Sequence, residues 1–434
     1  MRSVRERWTE RHFEGAEQLA DICREISHPL RNPADLDPLM ERIGNARYVL
    51  LGEASHGTSE YYVWRMWLSQ RLIQEKGFSF IAVEGDWPDC YRVNRYVKGY
   101  REAGASAREV LHAFERWPTW MWANWEIVAL AEWLRKHNDS VSDRDRIGFY
   151  GLDVYSLWES MDAVIQYLKR TDGSAVEAAM RAYRCFEPYG GDVHDYARAT
   201  ASWVPATCEA EAVAMLAALR REMPDASRDG GEAHFVAEQN ALVVKNAETY
   251  YRTMVETLER LIRFHGPDAK AIVWEHNTHI GDARATDMAH SGMVNVGQLV
   301  REAHRSEDVV LVGFGSQRGK VVAGRQWGAP MERMTVPEAR SDSWEGVLHK
   351  ASHDDKLLLL DDCASQNVCR APLGHRAIGV VYEPAFESWG NYVPTVLPER
   401  YDAFLYLDET RALHPLHIEP RADAEPPETY PWNV

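Results

Sequence analysis

Short apolar runs that end in acidic or imidazole side chains recur along this chain. Val49, Leu50 and Leu51 form a continuous apolar run of the kind that suits a strand buried on both faces. It gives way at once to Gly52, Glu53, Ser55, His56 and Gly57, after which Tyr61, Trp64, Arg65, Leu68 and Leu72 recur at helical spacing. Strand, polar turn and helix therefore follow in sequence, with Gly52 and Gly57 expected to lend the turn its backbone freedom. Phe78 to Val83 repeats the pattern and ends in Glu84, Gly85 and Asp86, with Trp87 and Pro88 opening the next helix. Ile147 to Leu152 ends in Asp153, and Ala271 to Trp274 ends in Glu275, His276, Asn277, Thr278 and His279. Parallel order brings these strand ends together, at the edge where open α/β sheets bind their ligands.

The remaining chain is read around that sheet. Up to about Ala46 it is helical and amphipathic, with Ala16, Leu19, Ala20, Cys23 and Ile26 on one side and Pro29 and Pro33 as breaks. From Leu157 to about His265 the periodic segments, such as Met161, Val164, Ile165 and Leu168, predict helices and no strand. Val309 to Val312 predicts a strand, GFGSQRG a tight turn, and Val321 to Ala323 a return; Gly313, Gly315 and Gly319 do not have the spacing of a dinucleotide fingerprint. Strands near Leu357 to Leu360, Ala377 to Val381 and Ala403 to Leu407 complete the expected sheet, and the proline-rich end after Pro415 is expected to be loose. The fold class is α/β, a mostly parallel central sheet flanked by helices with a helical insertion subdomain. Residues 1–154 and 267–434 supply the two parts of the core, and 155–266 the insertion.

Composition narrows the function classes. The 45% hydrophobic and 26% charged residues are ordinary for a globular protein, and no run approaches the roughly 18 apolar residues of a membrane helix. A net charge of -17 repels polyphosphate, so nucleic acid is not an expected partner, and the absence of a long apolar run makes a membrane no expected partner either. The charged start MRSVRERWTERHFEG does not read as a secretory signal. Cys23, Cys90, Cys185, Cys208, Cys363 and Cys369 lack any Cys-x-x-Cys pair, which predicts buried free thiols and a cytoplasmic location.

A carboxylate beside an imidazole orients it, fixes its tautomer and raises its basicity, so Glu53 with His56, and Glu84 as a second partner, make a general-base group. Arg65, on the following helix, is a candidate for holding an oxyanion. Ser55 stands outside any Gly-x-Ser-x-Gly elbow, which favours water as nucleophile. His276-x-x-His279 with Glu53, His56 and Glu84 offers enough nitrogen and oxygen ligands for zinc or manganese, yet lacks the His-Glu-x-x-His signature. Trp117, Trp120, Trp122 and Trp125 read either as a cleft wall for an apolar substrate or, by ordinary expectation, as a packing edge.

LGEASHG, VEGDWPD, GFYGLDVYSLWESM and WEHNTHIGD, in this order, together with RAIGVVYEP and WGNYVPTVLPERYDAFLYLDET, resemble the erythromycin esterase family over nearly the whole chain. The resemblance implies an α/β core with a helical subdomain, a cleft between them, and hydrolysis of a small-molecule ester or lactone by activated water without a cofactor or essential metal. By motif, Glu53 and His56 match the family's Glu-x-x-His, Arg65 its helix arginine, Glu84 its strand-end glutamate, and His276 and His279 its His-Asn-x-His pair. His56 is then the general base, with Asp153 and Trp122 expected to contact substrate. The alternatives are a metal-dependent hydrolase using the same cluster and a noncatalytic small-ligand or carbohydrate-binding protein.

Overall fold

The computed structural model describes residues 15–153, 164–169, 228–245 and 250–417. Its strands are β1 (Ser27–Pro29), β2 (Tyr48–Leu51), β3 (Phe80–Asp86), β4 (Gly148–Asp153), β5 (Ala271–Trp274), β6 (Val309–Gly324), β7 (Met331–Val336), β8 (Lys356–Leu359), β9 (Leu373–Arg376), β10 (Tyr392–Thr395) and β11 (Ala403–Thr410). Nine of them make one sheet in the order β1-β8-β11-β6-β2-β5-β3-β4, with β7 added to β6, while β9 and β10 pair separately. The run from β11 through β4 is parallel throughout; β1, β7 and β8 join antiparallel.

The unbroken apolar runs have a simple cause. Val49, Leu51, Ile81, Val83, Ile272 and Trp274 face one core layer, and Tyr48, Leu50, Phe80, Ala82, Ala271 and Val273 face the other. Alternate side chains along each strand therefore enter opposite layers, and both layers are buried. The helix Ser59–Lys76 covers the first layer with Tyr61, Leu68 and Leu72, and stops at Gly77, whose φ of +67° is left-handed. Helices Tyr250–His265, Val296–Ala303 and Trp344–Ala351 cover the second.

Register then aligns the strand exits. Trp274 stands opposite both Leu51 and Val83, so the residues after these three positions emerge side by side. The pairing of β3 with β4 is irregular between Val83 and Asp86, where Glu84 lies. Such an irregularity re-aims a side chain that regular pleating would have pointed into a layer.

Several expectations are corrected. GFGSQRG is no turn: β6 runs unbroken for 16 residues. Its glycines make room for rings, since a Cβ on Gly313 or Gly315 would lie 2.7 Å from Tyr401 or Phe404 carbons. Gly52 and Gly57 likewise serve close approach, to Asn277 Oδ1 at 2.0 Å and Val322 O at 1.9 Å from an added Cβ. Ala377 to Val381 is not a strand; Ile378 and Val381 form isolated bridges to Ser55 and Gly324, and β9 precedes them. The leading segment includes β1 as well as helices Ala16–Glu25 and Asp37–Ile43. Cys363 and Cys369 are joined by a disulfide, because the short helical turns between them bring their Cα atoms to 5.7 Å; Cys23 and Cys90 are free and buried.

Of the proposed insertion, residues 164–169 and helices Arg228–Lys245 and Tyr250–His265 are described. Met161, Cys185, Cys208 and the chain from 418 onward lie outside the described residues. Among the described residues no helix is long and apolar enough to cross a membrane.

Candidate active site

The turn after β2 carries the centre of the site. Asn277 donates its backbone N–H to Glu53 O at 2.8 Å, and Tyr62 donates its hydroxyl to His56 O at 3.2 Å, so the turn is held from both the β5 exit and its own helix. Within it, His56 Nδ1 lies 2.9 Å from Glu53 Oε1. A carboxylate at that distance places the ring proton on Nδ1 and leaves the lone pair on Nε2. His56 Nε2 in turn lies 3.9 Å from Glu84 Oε1.

Glu84 is fixed by its neighbours. Its Oε2 accepts the His276 backbone N–H at 2.8 Å, and its carbonyl accepts Trp122 Nε1–H at 3.0 Å. His279 Nδ1 is 3.4 Å from the same Oε2 and 4.0 Å from Glu275 Oε2. The His56 and His276 rings meet at 4.8 Å, and Tyr251 packs edge-on to His279 at 5.2 Å. Six of the chosen residues are thus one connected group, but Arg65 plays a different part from the one expected.

Arg65 is fully buried and does not line the cleft. Its Nη2 donates to Glu53 Oε2 at 2.6 Å, and its guanidinium lies 4.4 Å from the Tyr62 ring centroid and 4.7 Å from that of Trp274. The helix packs the arginine inward against Glu53 and the Tyr62 and Trp274 rings.

The environment drives the imidazoles apart. Burial disfavours charge on His56, but the Glu84 carboxylate and the hydrogen bond and charge of Glu53 outweigh it, and its pKa lies above the usual 6.5. Burial holds His279 below 6.5 despite Glu84. Burial, with the charges of His56 and His279, pushes His276 well below it. Glu275, which sequence reasoning left without a role, is entirely buried, and neither carboxyl oxygen has a hydrogen-bond partner among the described residues. Burial, Glu84 and Asp153 raise its pKa well above 4.5, which favours its protonated form. The strand-exit position next to His276 was the one sequence signal that marked it.

A cleft of about 540 Å³ opens over this group. His56, Glu84, Asp153, Tyr251 and His279 line it, as do Asp86 and Asp89, with Arg116 paired to Asp86 at 3.2 Å. Trp122 and Trp117 also line it, while Trp120 is buried in the core, so the tryptophan cluster divides between wall and packing. Among the described residues no three His, Cys, Asp or Glu side chains are grouped as metal ligands would be.

A family model described as Erythromycin esterase matches residues 73–410 of the 434. The chain belongs to the erythromycin esterase family. Erythromycin esterase type II of Escherichia coli is 27% identical over 155 residues, a stretch that spans 35% of either protein. The fold is shared with a succinoglycan biosynthesis protein (TM-score 0.71, 22% identity, 92% of this chain and 98% of that one). It is shared also with a Bacillus cereus protein (TM-score 0.74, 18% identity, 92% and 98%). A third structure, a mutant of the erythromycin esterase EreC in its open conformation, aligns with TM-score 0.59 at 16% identity over 88% of this chain and 97% of its own. Membership of the erythromycin esterase family supports an esterase-like hydrolase.

Proposed function

We propose that this protein hydrolyses a carboxylic ester or macrolactone, with His56 as the general base that activates water. The observation that carries the reading is the Glu53–His56 contact at 2.9 Å, which leaves His56 Nε2 as the acceptor on the cleft side, within 3.9 Å of Glu84. Water placed between Nε2 and Glu84 loses a proton to His56 as its oxygen attacks the carbonyl carbon. The imidazolium so formed is stabilised by Glu53 and Glu84, the same two groups that raise its pKa. Collapse of the tetrahedral intermediate breaks the C–O bond to the alcohol, which takes the proton held by His56 as it leaves and so restores the neutral imidazole. His279, neutral and lining the cleft, is the residue assigned to donate an N–H to the developing oxyanion. Arg65 is assigned the positioning of Glu53, and through it of His56.

The macrolide reading is the narrower form of the same proposal, supported by family membership and by the erythromycin esterase relative. The test is a panel of macrolides, acyl sugars and simple esters incubated with purified protein and followed by mass gain of one water. Hydrolysis of simple esters with intact macrolides retains the esterase and removes the macrolide substrate. Failure to hydrolyse any member removes both.

A further inference from the structure

The turn between β6 and β7 carries Trp327, which lines the cleft while the residue stays 62% exposed. Its indole packs against Trp117, and the backbone around it is fixed at several points. Trp117 donates Nε1–H to Ala329 O at 2.9 Å, tying the turn to the segment that carries Trp117. Gly324 bridges Val381 and donates to Val380 O at 2.9 Å, which fixes the root of the hairpin. Arg325 pairs with Glu332 at 3.2 Å and Glu383 at 2.7 Å on its outer side. Gly328, in a left-handed conformation at φ +76°, completes the reversal.

The Trp327 and Trp117 rings meet at 4.6 Å and a 56° tilt, leaving indole surface toward the cleft rather than closing flat on each other. Trp117 is braced from below by Trp120 at 5.3 Å, edge to face. Phe114, Pro118, Met121 and Val380 add apolar lining to the same cleft that His56, Glu84, Asp153 and His279 line. A carbonyl seated against His56 therefore shares its cleft with both tryptophans.

We infer that Trp327 and Trp117 form an apolar subsite for the acyl or alcohol substituent beside the scissile bond, and that Trp327 sets the preference for long-chain or ring-bearing esters over short ones. The inference rests on the esterase reading, but the subsite is measurable without turnover. Burying each additional methylene against the tryptophans raises binding by about threefold to fourfold when its cover is complete.

Two measurements test it. In the first, kcat/KM is determined for p-nitrophenyl acetate, butyrate and octanoate with wild type, Trp327→Ala and Trp327→Phe. The octanoate-to-acetate ratio is expected to fall about tenfold or more in Trp327→Ala, through KM more than kcat, and to be kept within about threefold by Trp327→Phe. In the second, the affinities of 2-decanone and 2-hexanone, which present a carbonyl and cannot be hydrolysed, are measured by calorimetry. Wild type is expected to prefer the longer ketone by about tenfold or more, and Trp327→Ala to lose most of that preference. An unchanged ratio in both measurements, with the variant's melting temperature unaltered, overturns the subsite. Absence of ester turnover together with retained ketone discrimination overturns the esterase reading and leaves the subsite standing.

Discussion

The Arg65 guanidinium and the Glu53 carboxylate meet at 2.6 Å with neither residue more than 2% exposed, and Glu53 offers its other oxygen to His56 at 2.9 Å. A buried charge whose partner is removed is costly, typically about 3–5 kcal/mol. Arg65→Met is therefore expected to lower stability by about that amount and to reduce hydrolysis through loss of the Glu53 orientation. Adding Glu53→Gln to Arg65→Met is expected to recover part of the stability but none of the activity. Denaturant unfolding of the two single variants and the double variant checks the coupling; additive losses would show the pair to be independent.

His56→Ala and Glu84→Gln are each expected to reduce ester hydrolysis by about 10² to 10⁴-fold while leaving the circular dichroism spectrum unchanged. Near wild-type turnover by either folded variant would remove it from the catalytic group.

The direction of the His56 shift fixes the pH profile. Because the neutral imidazole is the base and its pKa is raised above 6.5, activity is expected to rise with pH through a midpoint above 6.5. Glu84→Gln removes the charge that opposes burial, so the midpoint of its residual activity is expected to move down. The midpoint belongs to the connected cluster rather than to one ring. A rate that is flat from about pH 5 to pH 9 contradicts imidazole base catalysis.

Glu275 predicts a stability effect with the opposite sign from that of a paired carboxylate. Its folded pKa is raised well above 4.5, so from that pH upward the unfolded chain ionises while the folded chain keeps its proton. Its contribution is present in full below 4.5 and is lost as pH rises toward the folded value, at about 1.4 kcal/mol per pH unit. Glu275→Gln is expected to raise the melting temperature near pH 7, with a gain that grows with pH above 4.5. A constant difference across pH would show that Glu275 is ionised in the fold.

Exhaustive chelation is expected to leave hydrolysis unchanged, because proton removal from water is assigned to His56 and not to a cation. Activity that is lost on chelation and restored by one added metal would transfer that role to a metal-dependent mechanism.

The sequence by itself determined the parallel strands and their exits. Continuous apolar runs of four or five residues are stable as strands only when both faces are covered, so Tyr48–Leu51, Ala271–Trp274 and residues 80–83 and 148–152 carry their burial in their composition. Parallel order then brought Glu53, His56, Glu84, Asp153, His276 and His279 to one edge. Direction and distance were decided only by the tertiary structure. Helical spacing alone did not tell whether Arg65 pointed to the cleft or behind it; the Tyr62 and Trp274 rings and Glu53 made the inward position favourable. The glycines of GFGSQRG looked like turn residues because local conformational freedom and space for a distant ring leave the same mark in a sequence. Trp117 and Trp327 are separated by about half the chain, and the turn between β6 and β7 is where Trp327 comes within 4.6 Å of Trp117. Periodicity records what a residue does within its own element, whereas a contact between elements depends on how the layers are stacked.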